Sequence, residues 1–257
     1  MSEHVLVERE RGLLTLRLNR PDKKNALTRA MYAGLGEALS QAERDSDVRA
    51  VLLTGGTECF TSGNDVADFI QAPPTGPDSE VFRFMRTLFD FAKPIVAAVS
   101  GPAVGIGTTL LLHCDLVYVS RDARLKMPFV SLGLCPEFGS SLILPRLLGH
   151  ARATELLLLG EAFGGEQAEA WGIANQVLDD GAATLAKARE MALGFQRLAP
   201  TAVLDGKRLM RAPGREELRR VIEEEAALFG QRLRSPEAIE ALSAFMQRRP
   251  ADFSRFA

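Results

Sequence analysis

Residues 93–120 read KPIVAAVSGPAVGIGTTLLLHCDLVYVS. Ile95 to Val99 is an unbroken apolar run, short enough for a strand buried on both faces. Gly101, Gly105 and Gly107 follow, and GIGTTLLLHC turns into a helix. DLVYVS then returns as a strand. A strand, a glycine turn, a helix and another strand in direct succession predict an α/β unit with parallel pairing.

The same grammar extends outward. Toward the N-terminus, VRAVLLTGG is a second buried strand that stops at a glycine pair, and SEVFRFMRTLFDFA is helical. NALTRAMYAGLGEALSQAERD is an amphipathic helix with Thr28 as its N-cap. HVLVERERGLLTLRLNRP holds two strands around Arg11-Gly12, with Leu14, Leu16 and Leu18 alternating with Thr15 and Arg17. Toward the C-terminus the character changes after about residue 182. Four helical segments follow: AATLAKAREMALGFQRL, PTAVLDGKRLMR, REELRRVIEEEAALFGQRLR and PEAIEALSAFMQRR. The expected organisation is an α/β core over 1–195 and a C-terminal helical region over 196–257. Glu223 to Glu225 sit beside Arg215, Arg219 and Arg220, which reads as a solvated helix face. QAPPTGPDSE reads as a mobile loop.

Composition narrows the function. The chain has 257 residues, 46% of them hydrophobic and 25% charged, with a formal net charge of -2. Such a balance gives no global field for nucleic acid or for an anionic membrane. No apolar run is long enough to span a bilayer, and the N-terminal residues lack a hydrophobic signal core. Cys59, Cys114 and Cys135 are isolated, which suits a reducing cytoplasm and suggests neither a disulfide frame nor a zinc site. Only three histidines are present, which weakens any mechanism built on a Ser-His or Cys-His pair. The expectation is a cytoplasmic protein with no metal, nucleic-acid or membrane partner.

Two glycine turns share a design. In LLTGGTECFTSGNDVADF a buried strand leads to Ser62-Gly63-Asn64-Asp65. In IVAAVSGPAVGIGTTLLL a buried strand leads to Gly101, Gly105 and Gly107. Glycines can simply make turns. They also allow close backbone approach, and two turns together could aim two N–H groups at one oxygen. Neither turn fits a dinucleotide fingerprint, because Leu110 stands where the third glycine belongs; a phosphate loop and a nucleophile elbow are also missing. A lone carboxylate, Glu137, occupies the apolar stretch GLCPEFGSSLILP. On residues alone it is either a surface turn acid or a desolvated one.

The set NRPDKKNALT (19–28), CFTSGNDVADF (59–69), residues 93–120, FVSLGLCPEFGSSLILPRLLG (129–149) and ALSAFMQRRPADF (241–253) resembles the crotonase (enoyl-CoA hydratase/isomerase) superfamily. The resemblance implies a spiral of β-β-α turns with C-terminal helices that build trimers, or hexamers as dimers of trimers. It implies acyl-CoA thioester substrates and no cofactor, coenzyme A being part of the substrate. It places two oxyanion-binding N–H groups on Asn64 and Ile106. Of the two glutamates with which a hydratase of this family activates water, one aligns with Thr109 and the other with Phe129. Neither side chain can act as a general base. Glu137 and the run SGND look like the branch that isomerises 3-enoyl-CoA to 2-enoyl-CoA, a step of fatty-acid β-oxidation, in which one carboxyl moves a proton from C2 to C4. A hydratase, another CoA-thioester reaction through the same enolate and a catalytically silent acyl-CoA-binding protein remain alternatives.

The resemblance also offers substrate-binding positions. Lys23 and Lys24 lie where the family approaches the CoA phosphates, or they are surface lysines at a turn. Ala26, Asp65 and Val66 match backbone that lines the adenine and pantetheine path, although Asp65 could instead cap a helix. Ser62, Gly63 and Gly105 belong to the two turns, and Phe129 would wall off water. His113 reads as packed among leucines, Ser140 and Ser141 as the start of a helix, and Trp171 as core or interface. Val221, Ile222, Ala226, Leu228, Phe229 and Leu233 read as one packing stripe.

Overall fold

β1 (Val5–Glu10) and β2 (Leu13–Leu18) form an antiparallel hairpin closed by left-handed residues at Arg11 and Gly12. In this computed structural model, which describes residues 3–74, 76 and 78–256, the hairpin is the edge of a six-stranded sheet. β3 (Ala50–Thr54), β4 (Ile95–Val99), β6 (Leu116–Ser120) and β9 (Gln176–Leu178) continue it in parallel, in the order β1-β2-β3-β4-β6-β9. β3 and β4 are buried at every position, because the sheet is covered on both faces.

The two faces sort the side chains by period two. Leu14, Leu16, Val51, Leu53, Ala97 and Val99 point into the larger core, under α1 (Arg29–Arg44). Thr28 accepts the Met31 N–H as the N-cap of that helix. Leu13, Ala50, Leu52, Val96, Ala98 and Tyr118 face the opposite way, and Ala188 and Ala192 cover them. Small residues on both sides of that contact let a helix lie close to the strands.

A second, three-stranded sheet joins β5 (Pro102–Val104), β7 (Arg124–Lys126) and β8 (Phe163–Gly164). The sequence reading had Gly101 to Gly107 open a helix directly; a short strand intervenes at Pro102–Val104. The chain lays one strand in the large sheet, one in the small sheet and then a helix, so β4, β5 and α4 (Ile106–Thr109) form one β-β-α turn. β3 is followed by a parallel bridge from Thr61 to Ala103 and then α2 (Val66–Gln71), which repeats the pattern. α3 (Glu80–Asp90) packs on α1, with Tyr32 tilted against Phe84 at 5.5 Å between ring centres.

The remaining helices are α5 (Ser140–Leu148), α6 (His150–Thr154), α7 (Gly165–Ala170), α8 (Gly181–Gly194), α9 (Pro200–Arg211), α10 (Arg215–Arg232) and α11 (Pro236–Met246). α9 is pinned to the core through Asp115. Asp115 accepts from Lys207 at 2.7 Å, from Arg211 at 2.9 Å and from the Ile95 N–H at 2.8 Å. Among the described residues no helix is long and apolar enough to cross a membrane. Of the loop at 71–80, Thr75 and Pro77 lie outside the described residues.

Candidate active site

The two glycine turns are bonded to each other. Thr61 N–H donates to Pro102 O at 2.9 Å, and Val104 N–H donates back to Thr61 O at 3.0 Å. Such close approach leaves no room for side chains. A Cβ on Gly63 would lie 2.9 Å from Val104 O, and one on Gly107 would lie 2.5 Å from Thr61 Cγ2. Gly63 also sits at φ 91, where an L side chain is strained. Asn64 follows Gly63, and Ile106 is the first residue of α4. Among the described residues neither N–H is donated to another protein group. The first N–H of a helix has no intrahelical acceptor, which accounts for Ile106.

Glu137 is buried, with 4% of its surface exposed, so its reading as a surface turn acid does not hold. Its Oε1 accepts from Thr109 Oγ1 at 3.4 Å. Thr109 lies one helical turn after Ile106, so the carboxyl reaches the helix whose first N–H is unclaimed. Burial, and then the negative charge of Glu225, push the Glu137 carboxyl up to about 8, against a small opposing effect of Thr109. Tyr32 ties in the other turn. Its buried hydroxyl donates to Asn64 Oδ1 at 2.5 Å. Its pKa is raised well above the ordinary value, by burial and then by the charge of Glu137. A buried carboxyl of raised pKa, bonded to the helix whose first N–H is free, has the chemistry to exchange a proton with carbon near a donor for an oxyanion.

The family model for enoyl-CoA hydratase/isomerase matches residues 8–255. The chain belongs to the enoyl-CoA hydratase/isomerase family. It is similar to 1,2-epoxyphenylacetyl-CoA isomerase of Escherichia coli (strain K12), with 43% identity over 188 residues, covering 70% of this chain and 71% of that one. It is similar to enoyl-CoA delta isomerase 2 of Rattus norvegicus, with 36% identity over 255 residues, 97% of this chain and 65% of the rat protein. The structure of Pseudomonas aeruginosa OdaA superposes with a TM-score of 0.95 at 68% identity, covering 96% of this chain and all of that one. The chain is thus a crotonase-type CoA-thioester enzyme with the crotonase fold.

Within that family frame, the residues expected to bind substrate fall as follows. Lys23 and Lys24 are exposed at a short turn, and Lys24 O accepts the Ser62 N–H at 2.9 Å. Asp65 caps α2 by accepting from Asp68 N–H and is ion-paired to Arg20 at 2.6 Å. The same Arg20 donates to Ala26 O at 3.0 Å, so Ala26 and Asp65 are tied together. Val66 is the first, half-buried residue of α2. Phe129 is buried, and its ring edge is the nearest atom to a Cβ built on Gly105. His113 is packed: it stacks on Phe138 at 3.7 Å and donates Nε2–H to Phe138 O at 2.7 Å. Burial pulls its pKa down to about 4, so the ring is neutral.

Three residues were not singled out in sequence. Tyr32 is one of the buried positions of α1. Asn25 is buried and donates to Gly55, Cys59 and Phe60 carbonyls, which knots the 19–28 stretch onto the first turn. Glu225 overturns the solvated-face reading of Glu223 to Glu225, since it is buried while its two neighbours are exposed. The signal was present: Leu218, Ile222, Glu225 and Phe229 follow helical spacing, and one member of that apolar stripe is charged. Leu228 is 47% exposed and leaves the stripe.

Proposed function

We propose that this enzyme isomerises 3-enoyl-CoA to 2-enoyl-CoA. Glu137 takes the proton from C2 of the thioester. The electrons move onto the thioester oxygen, which Asn64 N–H and Ile106 N–H stabilise, and the double bond shifts toward C2. The protonated Glu137 then returns the same proton to C4. Atoms and charge balance with one acid, and the chemistry asks for no redox group or metal. A donor of this kind is worth roughly 3–4 kcal/mol of barrier.

The observation that carries the reading is the buried carboxyl of Glu137. Glu137 is buried and raised to about 8, while Thr109 and Phe129 occupy the two positions where a hydratase of this family would need acids. Similarity to the rat delta isomerase supports it. The E. coli relative's action on an epoxyphenylacetyl thioester supports a second reading, isomerisation of a different acyl group at the same site. The cavity of about 420 Å³ between α3 and α10 carries Phe82, Met85, Ile222 and Ala226 beside Arg86, Glu223 and Arg234; its apolar side supports it as the place for the acyl group. The exposed apolar side chains of Leu209, Met210, Phe245 and Met246 support a trimer built through the C-terminal helices. A cytoplasmic, β-oxidation-type role fits this substrate class.

The test follows conjugated-thioester absorbance. 3-Enoyl-CoA should gain the signal, and 2-enoyl-CoA should not lose it to water. Glu137→Gln should lose roughly 10³-fold in kcat, within the range for a general base. Rapid hydration of 2-enoyl-CoA, or a wild-type rate for Glu137→Gln, would overturn the proposal. CoA binding without turnover of either thioester would point to a silent binding protein.

A further inference from the structure

α5 has no N-cap side chain of its own. Gly139 stands at the cap position with φ 76, and a Cβ there would meet Leu218 at 2.4 Å on α10. The missing acceptor arrives from 86 residues further along the chain. Glu225, on α10, accepts the Gly139 N–H at 2.5 Å through Oε2 and the Ser141 N–H at 3.0 Å through Oε1. Its residue is 8% exposed. The segment it grips begins with Glu137 and passes through Phe138, a non-glycine residue at φ 57. A left-handed Phe persists only when its surroundings hold it. Two other contacts hold the same turn: His113 Nε2–H donates to Phe138 O at 2.7 Å, and Ser140 Oγ–H to Glu137 O at 2.7 Å.

We propose that Glu225 is a positioning residue for Glu137, fixing the turn that aims the base and setting a second carboxyl beside it. The inference rests on Glu137 being the base. Glu137 is faced by Tyr32 from α1, Thr109 from α4, Cys135 from its own loop and Glu225 from α10, with His113 beyond α4 on the adjoining Phe138. Tyr32, Cys135 and His113 are neutral near pH 7: burial raises the first two and lowers the third. Arg232 and Arg211 act in this neighbourhood on Cys135 and His113 and are engaged elsewhere, by Glu237 and Asp115. Two backbone N–H groups and the positive end of α5 favour the charged form of Glu225, and burial, the larger effect, raises its pKa. When Glu225 carries its charge, the second carboxyl of the pair holds its proton to higher pH, which is the direction found for Glu137.

The experiment compares Glu225→Gln, Glu225→Asp and Glu225→Ala with Glu137→Gln on 3-enoyl-CoA, reading kcat and KM across pH. Glu225→Gln keeps the shape and one acceptor but removes the charge. The acid limb of its kcat/KM profile should move to lower pH. Glu225→Ala leaves the Gly139 and Ser141 N–H groups without this acceptor and frees the turn. It should lose on the order of 10²-fold in kcat with little change in KM, as a misaimed base does. Glu225→Asp should recover part of that loss. If Glu225→Ala does not fold, the Gln and Asp variants still decide. An acid limb unmoved in Glu225→Gln, with Glu137→Gln inactive, overturns the role of Glu225 alone. An active Glu137→Gln overturns the base assignment and this inference with it.

Discussion

The two halves of the site are held in opposite ways. The turns that carry Asn64 and Ile106 are fixed backbone to backbone, by Thr61, Pro102 and Val104. Where the two turns meet, side chains matter mainly by being absent, at Gly63 and Gly107, while Asn25 ties the first turn to residues 19–28. The loop that carries Glu137 is fixed by side chains from elsewhere. His113, Glu225 and Arg232 bond to Phe138 O, Gly139 N–H and Gly133 O respectively. Its donors and acceptors come from helices distant in sequence. One half should therefore fail when a Cβ is added and the other when a functional group is removed.

The sharpest way to break this contrast is at the glycines. Gly63→Ala places a methyl 2.9 Å from Val104 O at a positive φ, and Gly107→Ala places one 2.5 Å from Thr61. Each should part the two turns. The expected loss is roughly 10²–10³-fold in kcat, the size seen for removing one oxyanion donor, in a protein that still melts cooperatively. Asn64→Ala is the control. It keeps the N–H and removes only the acceptor of Tyr32, so the loss should be about tenfold or less. An Asn64→Ala defect larger than that of Gly63→Ala would reverse the assignment of this half to backbone.

The acid loop makes a different, pH-dependent prediction. The carboxyl of Glu137 has an ordinary value of 4.5 and is raised to about 8 in the fold. Burial thus favours the protonated form in the native state. Its contribution to stability is fully present below pH 4.5 and is lost as pH rises through 8. Glu137→Gln, which cannot ionise, should be about as stable as wild type near pH 4.5. By pH 9 it should be the more stable, by roughly a few kcal/mol. Chemical denaturation at the two pH values checks this. Equal stability of the two proteins at pH 9 would mean that the carboxyl is not desolvated. The same sign governs rate: a base must be unprotonated, so kcat/KM should climb through about pH 8.

The asymmetry also explains what the sequence showed. Strands, helices and the glycine turns were legible because each is a local pattern: an apolar run, a helical period, a glycine at fixed spacing. Even there the short strand at Pro102–Val104 was missed, since three residues between two glycines carry no period. Thr28 as a cap and Ser140 as a helix start were equally local. The acid loop was legible only as an anomaly, one carboxylate among apolar residues. Its burial depends on α10 and α11 closing over it, with Ala238 within 2.6 Å of where a Gly133 Cβ would stand. Glu225 was hidden inside a charged run because composition averages over a helix whose faces differ. Only the position of Glu225 on the stripe Leu218, Ile222, Phe229 separates it from Glu223 and Glu224.

The smallest expected effect concerns a direct contact between the two halves. Thr109 Oγ1 donates to Glu137 Oε1 at 3.4 Å, at the long end for such a bond. The hydroxyl favours the ionised carboxyl, opposing burial and Glu225. Thr109→Val keeps the shape of the side chain and removes the donor. The Glu137 pKa should rise further, so the acid limb of kcat/KM should move to higher pH. The rate at pH 7 should fall by about threefold, which corresponds to somewhat under 1 kcal/mol for a weak bond to a charge. At pH values well above the limb the two enzymes should converge, because both bases are then ionised. Convergence separates this from a packing defect, which would lower the rate at every pH. A uniform loss would mean that Thr109 supports the helix bearing Ile106 rather than tuning the acid.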